Sequence, residues 1–367
     1  MHSISFKEDQ EGFLYPKVDT ETCIDCGLCE KVCPVINQNN ERFPSRVFAA
    51  KHPDDEIRMS SSSGGIFTLL AEQIIDNGGV VFGARFNENW EVVHDFTETK
   101  EGLIPFRGSK YVQSRIGDAY VNVEKFLQSG RSVMFTGTPC QVAGLKKYLR
   151  KEYENLLAVD FVCHGVPSPM VWREYIKKEM SRNQNAVLTG VDFRDKSTGW
   201  KKYSVAIKFS KCSEMIGQTT IVSTQFTENV YMRAFLSNLI LRPSCYNCSS
   251  KTGKSNSDLT IGDFWGVDNI LKDYDDDKGT SVLFDYSGDV DDNILHKLNA
   301  IDVSYEDSII QNSSYNRSSE CHPNRTRYFA SVDSGDIITS MIKYCNLPWT
   351  LRVRRKIRTI IFKLSRR

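Results

Sequence analysis

The feature that most constrains this chain is a cysteine run near its start, Cys23-Ile24-Asp25-Cys26-Gly27-Leu28-Cys29-Glu30-Lys31-Val32-Cys33-Pro34. Its spacing is C-x2-C-x2-C-x3-C-P, the run by which bacterial ferredoxins hold a cubane of four irons and four sulfides. Cysteines three residues apart let a tight loop wrap the cubane, and Gly27 tolerates the positive φ that such a loop needs. The run therefore predicts a 4Fe–4S site whose ligands are Cys23, Cys26, Cys29 and Cys33.

A zinc site or a set of disulfides fits the run less well. Zinc sites use paired C-x2-C units rather than three cysteines in succession, and cysteines this close pair poorly as disulfides. In two-cluster ferredoxins, however, the fourth cysteine of such a run ligates the other cluster. By that rule Cys23, Cys26 and Cys29 lack a fourth ligand, and Cys33 belongs to a cluster that has no other ligands, since the sequence contains no second run. We expect either an incomplete N-terminal site or a further ferredoxin half upstream of Met1.

Length and charge limit the class of protein. A chain of 367 residues suggests two or three domains. The formal net charge is +1, but residues 351–367 contain eight basic side chains and no acid, so residues 1–350 carry −7. No nucleic-acid partner is therefore expected. Eleven cysteines without an apolar leader argue against a disulfide scaffold and favour a cytoplasmic protein with metal or redox chemistry.

Two polar loops are candidates for binding a ligand. The first, Ser61-Ser62-Ser63-Gly64-Gly65, precedes an apolar helix predicted over 66–76. Hydroxyls and glycines before a helix can bind phosphate, although an ordinary helix cap with flexible residues explains them more simply. The second, Ser109-Lys110-Tyr111-Val112-Gln113-Ser114, combines a lysine, a tyrosine and two hydroxyls. It suits a flavin phosphate or a substrate acid, but taken alone it is only a solvated loop.

From residue 116 the pattern alternates helix and strand, as in α/β proteins. Strands predicted over 131–136 and 156–162 each lead into a cysteine loop, Gly137-Thr138-Pro139-Cys140 and Cys163-His164-Gly165-Val166-Pro167. A helix is predicted to follow the first loop over 141–150. Both cysteines lie just beyond the carboxyl ends of strands, the edge at which ligands bind in open α/β sheets.

A second cysteine set emerges when these two are combined with Cys245 and Cys248, a C-x2-C pair after a helix predicted over 227–241. Four thiolates from three loops suit a second 4Fe–4S cluster or a Zn²⁺ ion. Spacing alone also allows free cysteines that are buried as small hydrophobic side chains. That simpler interpretation is preferred for the cysteines without such neighbours, namely Cys212, Cys321 and Cys345.

The final segment, residues 346–367, is predicted to be a basic amphipathic helix with its apolar side chains on one face. Such a helix suits peripheral contact with an anionic membrane surface. It suits equally well packing against an acidic patch of the same protein or of a partner.

Six stretches together resemble the coenzyme F-420 hydrogenase/dehydrogenase beta-subunit family. In order, they are Ser61–Gly65, Ser109–Ser114, Gly137–Gln141, Cys163–Ser168, Cys245–Cys248 and Gly262–Gly266. The resemblance spans about residues 20–270. It implies an iron–sulfur flavoprotein that carries FAD and passes electrons from one or two 4Fe–4S clusters to a two-electron acceptor, either the deazaflavin coenzyme or another small substrate. It also implies a redox partner, either a ferredoxin or a hydrogenase/dehydrogenase subunit.

The resemblance also implies roles for individual residues. The four cysteines of the second set, Cys140, Cys163, Cys245 and Cys248, correspond to the ligands of a core cluster beside the flavin. The two polar loops correspond to flavin or substrate contacts, through Ser61, Ser62, Ser63, Gly64, Gly65, Ser109, Lys110, Tyr111, Gln113 and Ser114. The chain departs from the family at its start, where similar proteins often carry two ferredoxin runs.

We therefore expect an α+β protein in which a small ferredoxin-like segment over 1–42 precedes a central mixed α/β flavin-binding domain. The two halves of that domain are expected over 43–180 and 181–345, followed by the basic helix. The expected activity is that of an oxidoreductase. An electron-transfer subunit without a substrate of its own is the alternative, and a zinc-stapled scaffold is a third possibility.

Overall fold

The computed structural model describes residues 3–183, 186–211, 218–288, 290–332 and 336–346. The strands are β1 Ile4–Glu8, β2 Leu14–Val18, β3 Arg46–Ala50, β4 Val80–Phe86, β5 Val92–Thr97, β6 Val133–Gly137, β7 Leu156–Phe161, β8 Val187–Asp195, β9 Ser204–Lys211, β10 Gln218–Gln225, β11 Leu259–Asp263, β12 Ser281–Asp285 and β13 Ile301–Asp302. The helices are α1 Leu28–Lys31, α2 Asp55–Met59, α3 Ile66–Asp76, α4 Ala119–Gln128, α5 Pro139–Leu149, α6 Pro169–Arg182, α7 Val230–Leu236, α8 Asp292–Lys297, α9 Tyr305–Ile309, α10 Arg325–Val332 and α11 Ile337–Tyr344. Cys212 and residues 347–367 of the predicted basic helix lie outside this description.

A large mixed sheet forms the centre of the molecule, with the strand order β13-β3-β12-β11-β7-β6-β4-β5. Strands β4, β6, β7 and β11 run parallel to one another, and they are rich in fully buried apolar residues, as is usual where helices cover both faces. Because parallel strands end at the same edge, the loops after β6, β7 and β11 lie side by side. The two predicted halves share this sheet, since β12 pairs with β3 and β11 pairs with β7.

A second, antiparallel sheet has the order β10-β9-β8. It packs with α6, α7 and α11 around a core that includes Trp172, Phe193 and Tyr231. The register between β8 and β9 shifts between Asp192 and Asp195. A bulge changes the direction in which the side chains of its strand point. Arg194 lies within this bulge and is only 4% exposed.

The N-terminal segment is a β-hairpin. Strands β1 and β2 pair in antiparallel register, from Ile4 opposite Val18 to Glu8 opposite Leu14. Nearly all of their side chains are exposed, so even the apolar residues of β1 do not form a buried face. The turn is anchored by Phe13, which is fully buried.

Helix boundaries were predicted with mixed success. Helix α3 matches its predicted span, whereas α5 begins at Pro139 rather than at 141. Its earlier start follows from proline at the first helical position, and it places Cys140 in the first turn of a helix instead of a loop. Helix α7 is shorter than predicted, because Asn229 caps its start and Asn238 follows its end with φ 67°. Among the described residues, no helix is long and apolar enough to cross a membrane.

Candidate functional site

The second cysteine set lies at the carboxyl edge of the central sheet. Cys140 follows β6, Cys163 follows β7, and Cys245 lies in a short 3-10 turn over Pro243–Asn247 that ends at Cys248. The main-chain N–H of Val166 donates to Cys245 Sγ at 3.4 Å, so this turn packs directly on the loop that carries Cys163. Three loops separated by up to about a hundred residues in sequence therefore bring the four thiols to one region.

The thiols of the second cysteine set are near enough for charge on one to affect the pKa of another. Burial raises the pKa of Cys163, and negative charge on Cys245, Cys140 and Cys248 raises it further. Burial likewise raises the pKa of Cys245 to about 12, with repulsion from Cys140 and Cys248 adding to the effect. Four thiolates close together repel one another, and a metal centre would balance their charge. The donor set thus has the chemistry of an iron–sulfur site, whereas the described residues do not gather three ligands around a single metal ion.

Cys140 is the most exposed thiol of this set, although desolvation by the surrounding protein raises its pKa. Cys163, deeper in the site, has its main-chain carbonyl held by Lys251 Nζ, which also donates to the carbonyl of Ser314 at 2.6 Å.

The N-terminal cysteines form a separate and more exposed group. Cys23, Cys26 and Cys29 are exposed and Cys33 is partly buried. The turn that they occupy contains Asp25 at φ 53° and Gly27 at φ 64°, so the positive φ predicted for Gly27 is confirmed. Cys23, Cys26 and Cys29 are thus more exposed than Cys163, Cys245 and Cys248.

Arg242 connects three parts of the site, and its sequence context did not single it out. Its Nη2 donates to the carbonyl of Leu14 at 2.9 Å and its Nη1 donates to Gln113 Oε1 at 3.1 Å. Its charge also opposes the rise in the pKa of Cys140. The residue thus joins the N-terminal hairpin, the Ser109–Ser114 loop and the second cysteine set. In the sequence, its position three residues before Cys245 was the only indication that Arg242 belongs to this site.

The two polar loops contact each other, since the N–H of Ser109 donates to Ser62 Oγ at 2.6 Å. Much of the hydrogen-bonding capacity of the first loop is used within the chain. Ser61 Oγ donates to the carbonyl of Ile57 at 2.7 Å, and Ser63 Oγ donates to the carbonyl of Thr280 at 2.9 Å. These bonds fix the loop against its surroundings before any ligand arrives.

Gly64 is held against the central sheet. Its N–H donates to Ser281 Oγ at 2.8 Å, and a Cβ at this position would lie 2.6 Å from the carbonyl oxygen of Ala50. Close packing therefore explains this glycine without a ligand. Gly65 has φ 84° and caps helix α3, so its conformation also favours glycine.

Ser114 is held by a buried histidine. His94 Nε2 lies 3.0 Å from the carbonyl of Thr136, so this nitrogen carries the proton and Nδ1 is an acceptor. The hydroxyl of Ser114 donates to Nδ1 at 2.9 Å and accepts from Gln141 Nε2 at 2.8 Å. Burial lowers the pKa of His94 to about 4, so the ring stays neutral near pH 7. Ser114 can therefore offer a ligand an acceptor lone pair but not its proton.

Lys110 and Tyr111 occupy the same loop in different ways. Burial lowers the pKa of Lys110 to about 7, although the charge of Asp192 opposes this effect. Its Nζ donates to the carbonyl of Arg107 at 2.8 Å. The ring of Tyr111 stacks on Phe235 at 4.7 Å between centroids. Lys110 is therefore a group that can exchange a proton near neutral pH, whereas Tyr111 fixes the loop.

A buried cationic group beside these loops was missed by sequence analysis. Arg194 Nη1 pairs with Asp263 Oδ2 at 3.0 Å, and its guanidinium lies over the ring of Tyr203 at 4.1 Å. Lys196 Nζ donates to the carbonyls of Ser63 at 2.9 Å and Lys278 at 2.7 Å. Both residues lie at or after the end of a strand without any distinctive spacing. The nearest signal was Asp263, which belongs to one of the six family-like stretches.

Comparison with known families identifies the chain. The model for the C terminus of the coenzyme F420 hydrogenase/dehydrogenase beta subunit matches residues 130–298, and the model for its N-terminal part matches 47–119. The chain belongs to this family. A 4Fe-4S binding domain model matches residues 14–35, which confirms the iron–sulfur motif of the N-terminal run. All four cysteines of that run lie within the matched residues, and those of the second set lie within the C-terminal match.

Curated relatives match the chain over part of their length. A subunit of the F(420)H(2) dehydrogenase of Methanosarcina mazei is 25% identical over 144 residues, 38% of this chain and 40% of the relative. The coenzyme F420-dependent sulfite reductase of Methanocaldococcus jannaschii is 25% identical over 160 residues, 41% of this chain and 24% of the relative. The chain therefore corresponds to less than half of either protein.

A solved structure of the F420-reducing [NiFe] hydrogenase complex from Methanosarcina barkeri contains a similar chain. The two chains are 16% identical, with a TM-score of 0.46, over 83% of this chain and 91% of the other. Together the family and the motif indicate an oxidoreductase-related protein with an iron–sulfur centre for electron transfer.

Proposed function

We propose that this chain is an iron–sulfur flavoprotein oxidoreductase that passes electrons from 4Fe–4S clusters through FAD to a small two-electron acceptor. One observation carries the proposal. Four cysteines from three loops, Cys140, Cys163, Cys245 and Cys248, share one electrostatic environment at the carboxyl edge of the sheet. They lie next to the Ser109–Ser114 loop through Arg242. A core cluster held there would lie beside a ligand bound at that loop.

Zinc accounts less well for the second cysteine set. Sulfurs around one Zn²⁺ lie about 3.8 Å apart, as follows from a Zn–S distance of about 2.3 Å. Among the described residues, no three Cys, His, Asp or Glu side chains are gathered in a way that suits a single metal ion. A cubane spreads its four thiolates over four irons and does not require them to meet at one ion.

The flavin would lie against the two polar loops. FAD supplies the conversion between one-electron and two-electron transfer. Ser62 and Ser109 join the loops, Lys110 lies at their edge with a pKa lowered to about 7, and Ser114 offers an acceptor lone pair. Lys110 is the residue we expect to hold or release a proton during reduction of the acceptor, because both of its protonation states are populated near neutral pH.

The N-terminal segment would receive electrons from a redox partner protein, either a ferredoxin or a hydrogenase/dehydrogenase subunit. Its exposed cysteines suit contact with a partner, and the hairpin before them is fixed to the core by Arg242 and Arg325. A non-catalytic electron-transfer subunit remains the second candidate, favoured by the relative named as a subunit of a dehydrogenase. A cytoplasmic location and membrane contact through the C-terminal basic helix also remain predictions.

The first experiment is the determination of iron, acid-labile sulfide, zinc and flavin per chain after anaerobic purification. We expect about four irons from the core cluster, or about eight if the N-terminal run also holds one, together with one FAD. Stoichiometric zinc without iron would overturn the redox proposal. Reduction of a deazaflavin or a dye by the isolated chain with reduced ferredoxin would separate the enzyme from the electron-transfer subunit.

A further inference from the structure

A continuous chain of hydrogen bonds joins the Ser109–Ser114 loop to the second cysteine set. Gln141 Nε2 donates to Ser114 Oγ at 2.8 Å, and Gln141 Oε1 lies 3.0 Å from Thr138 Oγ1. Thr138 Oγ1 in turn lies 3.1 Å from Cys140 Sγ. Two residues, Gln141 and Thr138, therefore link a candidate ligand contact to a candidate cluster ligand.

The Thr138 hydroxyl has one proton and two neighbouring acceptors. With Cys140 as a thiol, the S–H donates to Thr138 Oγ1 and the hydroxyl donates to Gln141 Oε1. A thiolate bound to iron has no proton and can only accept. The hydroxyl can then turn to the sulfur, while Gln141 Oε1 keeps the bond from the Thr138 N–H at 2.9 Å. Cys140 Sγ and Gln141 Oε1 therefore each have a donor, and no buried polar group loses its hydrogen bond.

Thr138 is well placed to act on Cys140 for a second reason. It is 7% exposed, so water competes little for its hydroxyl. It also caps helix α5, in whose first turn Cys140 lies. The positive end of the helix macrodipole and a hydroxyl donor both stabilise negative charge on the same sulfur.

We infer that Thr138 is a positioning residue that sets the reduction potential of a cluster held by Cys140, and that Gln141 ties this setting to the Ser109–Ser114 loop. The inference rests on the proposed core cluster. Reduction adds one electron to the cluster and no atom, so its added negative charge is shared by the ligand sulfurs. A hydrogen bond to the sulfur stabilises the reduced form more than the oxidised form and raises the potential.

The test compares variants of Thr138 in the full chain. Thr138→Val removes the hydroxyl with little change in shape, and Thr138→Ser keeps it. Thr138→Gly also removes the hydroxyl, and glycine remains a tolerated helix cap, so it serves if valine disturbs helix α5. The midpoint potential of the cluster is measured by titration followed by electron paramagnetic resonance, with iron content and thermal unfolding recorded for each variant.

We expect the valine and glycine variants to hold wild-type iron and to titrate at a more negative potential, with the serine variant unchanged. Iron-loaded valine and glycine variants that titrate with the wild type would overturn this inference and leave the proposed function intact. A wild-type chain without iron would overturn both. A potential shifted equally in all three variants would also contradict the inference, because serine retains the hydroxyl.

Discussion

Arg325 and Glu11 form a two-point ion pair in which Arg325 Nη1 lies 2.7 Å from Glu11 Oε1. The same guanidinium donates to the hydroxyl of Tyr246 at 3.1 Å, a residue between Cys245 and Cys248. The N-terminal hairpin is therefore attached beside the turn that carries half of the second cysteine set. This contact positions one proposed cluster relative to the other.

The first prediction concerns this attachment. Glu11→Gln keeps the size of the side chain and removes its charge, so Arg325 is left partly buried without its counter-ion. We expect a loss of about 1–2 kcal/mol in the free energy of unfolding, and faster amide hydrogen exchange over residues 4–18. The exposed Glu21 supplies the matched control, Glu21→Gln. Equal exchange rates in the two variants would contradict the positioning role.

The second prediction separates the two cysteine groups. Cys245→Ser removes one ligand of the second set, and we expect it to lose about four irons per chain. Cys26→Ser should leave those irons in place, because the N-terminal run is a separate and exposed group. Cys321, assigned to neither group, provides the control Cys321→Ser. Retention of all iron in both Cys245→Ser and Cys245→Ala would exclude this cysteine as a ligand, because alanine, unlike serine, has no side-chain atom that can bind iron.

The third prediction concerns the loop beside Gly64. A Cβ there meets the carbonyl oxygen of Ala50 at 2.6 Å, and main chain cannot move away as a flexible side chain does. We expect Gly64→Ala to lower the free energy of unfolding by about 1–3 kcal/mol even without flavin. Gly190→Ala is the control, because its Cβ would meet only the flexible side chain of Lys208, at 3.3 Å. A loss seen only with flavin bound would favour a phosphate-binding role for this loop instead.

The fourth prediction is a pH dependence. Burial tends to raise the pKa of Asp276, but hydrogen bonds and charge from Arg58 lower it to about 2, from an ordinary value of 3.8. The folded state therefore favours the ionised form, and this contribution to stability is present above pH 3.8 and disappears as the pH falls toward 2. Because the carboxylate is partly exposed, we expect Asp276→Asn to cost about 1–2 kcal/mol at pH 7.

Chemical denaturation of wild type and Asp276→Asn between pH 7 and pH 2 checks this expectation. The difference in the free energy of unfolding should shrink over the acid end of the range. Asp273→Asn, in the same loop but at a carboxylate that does not pair with Arg58, should show a smaller difference. A constant gap down to pH 2 would mean that the loss comes from packing rather than from the charge of Asp276.

Sequence analysis was most accurate where local signals are strong. Helix α3 follows glycines and ends before Gly78-Gly79, and its predicted span matches the structure. The hairpin β1–β2 was not predicted, because its two strands are only five residues long and almost fully exposed, so no core-facing pattern supports them. The start of α5 was placed two residues late, although Pro139 is typical of a first helical turn.

The site was predicted only in part, for a similar reason. Both polar loops and the second cysteine set have recognisable composition or spacing, and the structure brings them to one region. Arg242, Arg194 and Lys196 have neither, since their importance depends on partners far away in sequence. Lys196, for example, holds the carbonyl of Ser63 across more than a hundred residues. Contacts of this kind exist only after the chain has folded.

The distribution of the second cysteine set along the chain has a consequence for how the protein is made. Cys140 and Cys163 are synthesised well before Cys245 and Cys248, and the β7–β11 pairing that aligns their loops also needs the later segment. A cluster delivered to the nascent chain would find only half of its ligands. Assembly of the metal centre would therefore follow completion of the central sheet, and the inserted cluster would then lock together two segments that fold at different times.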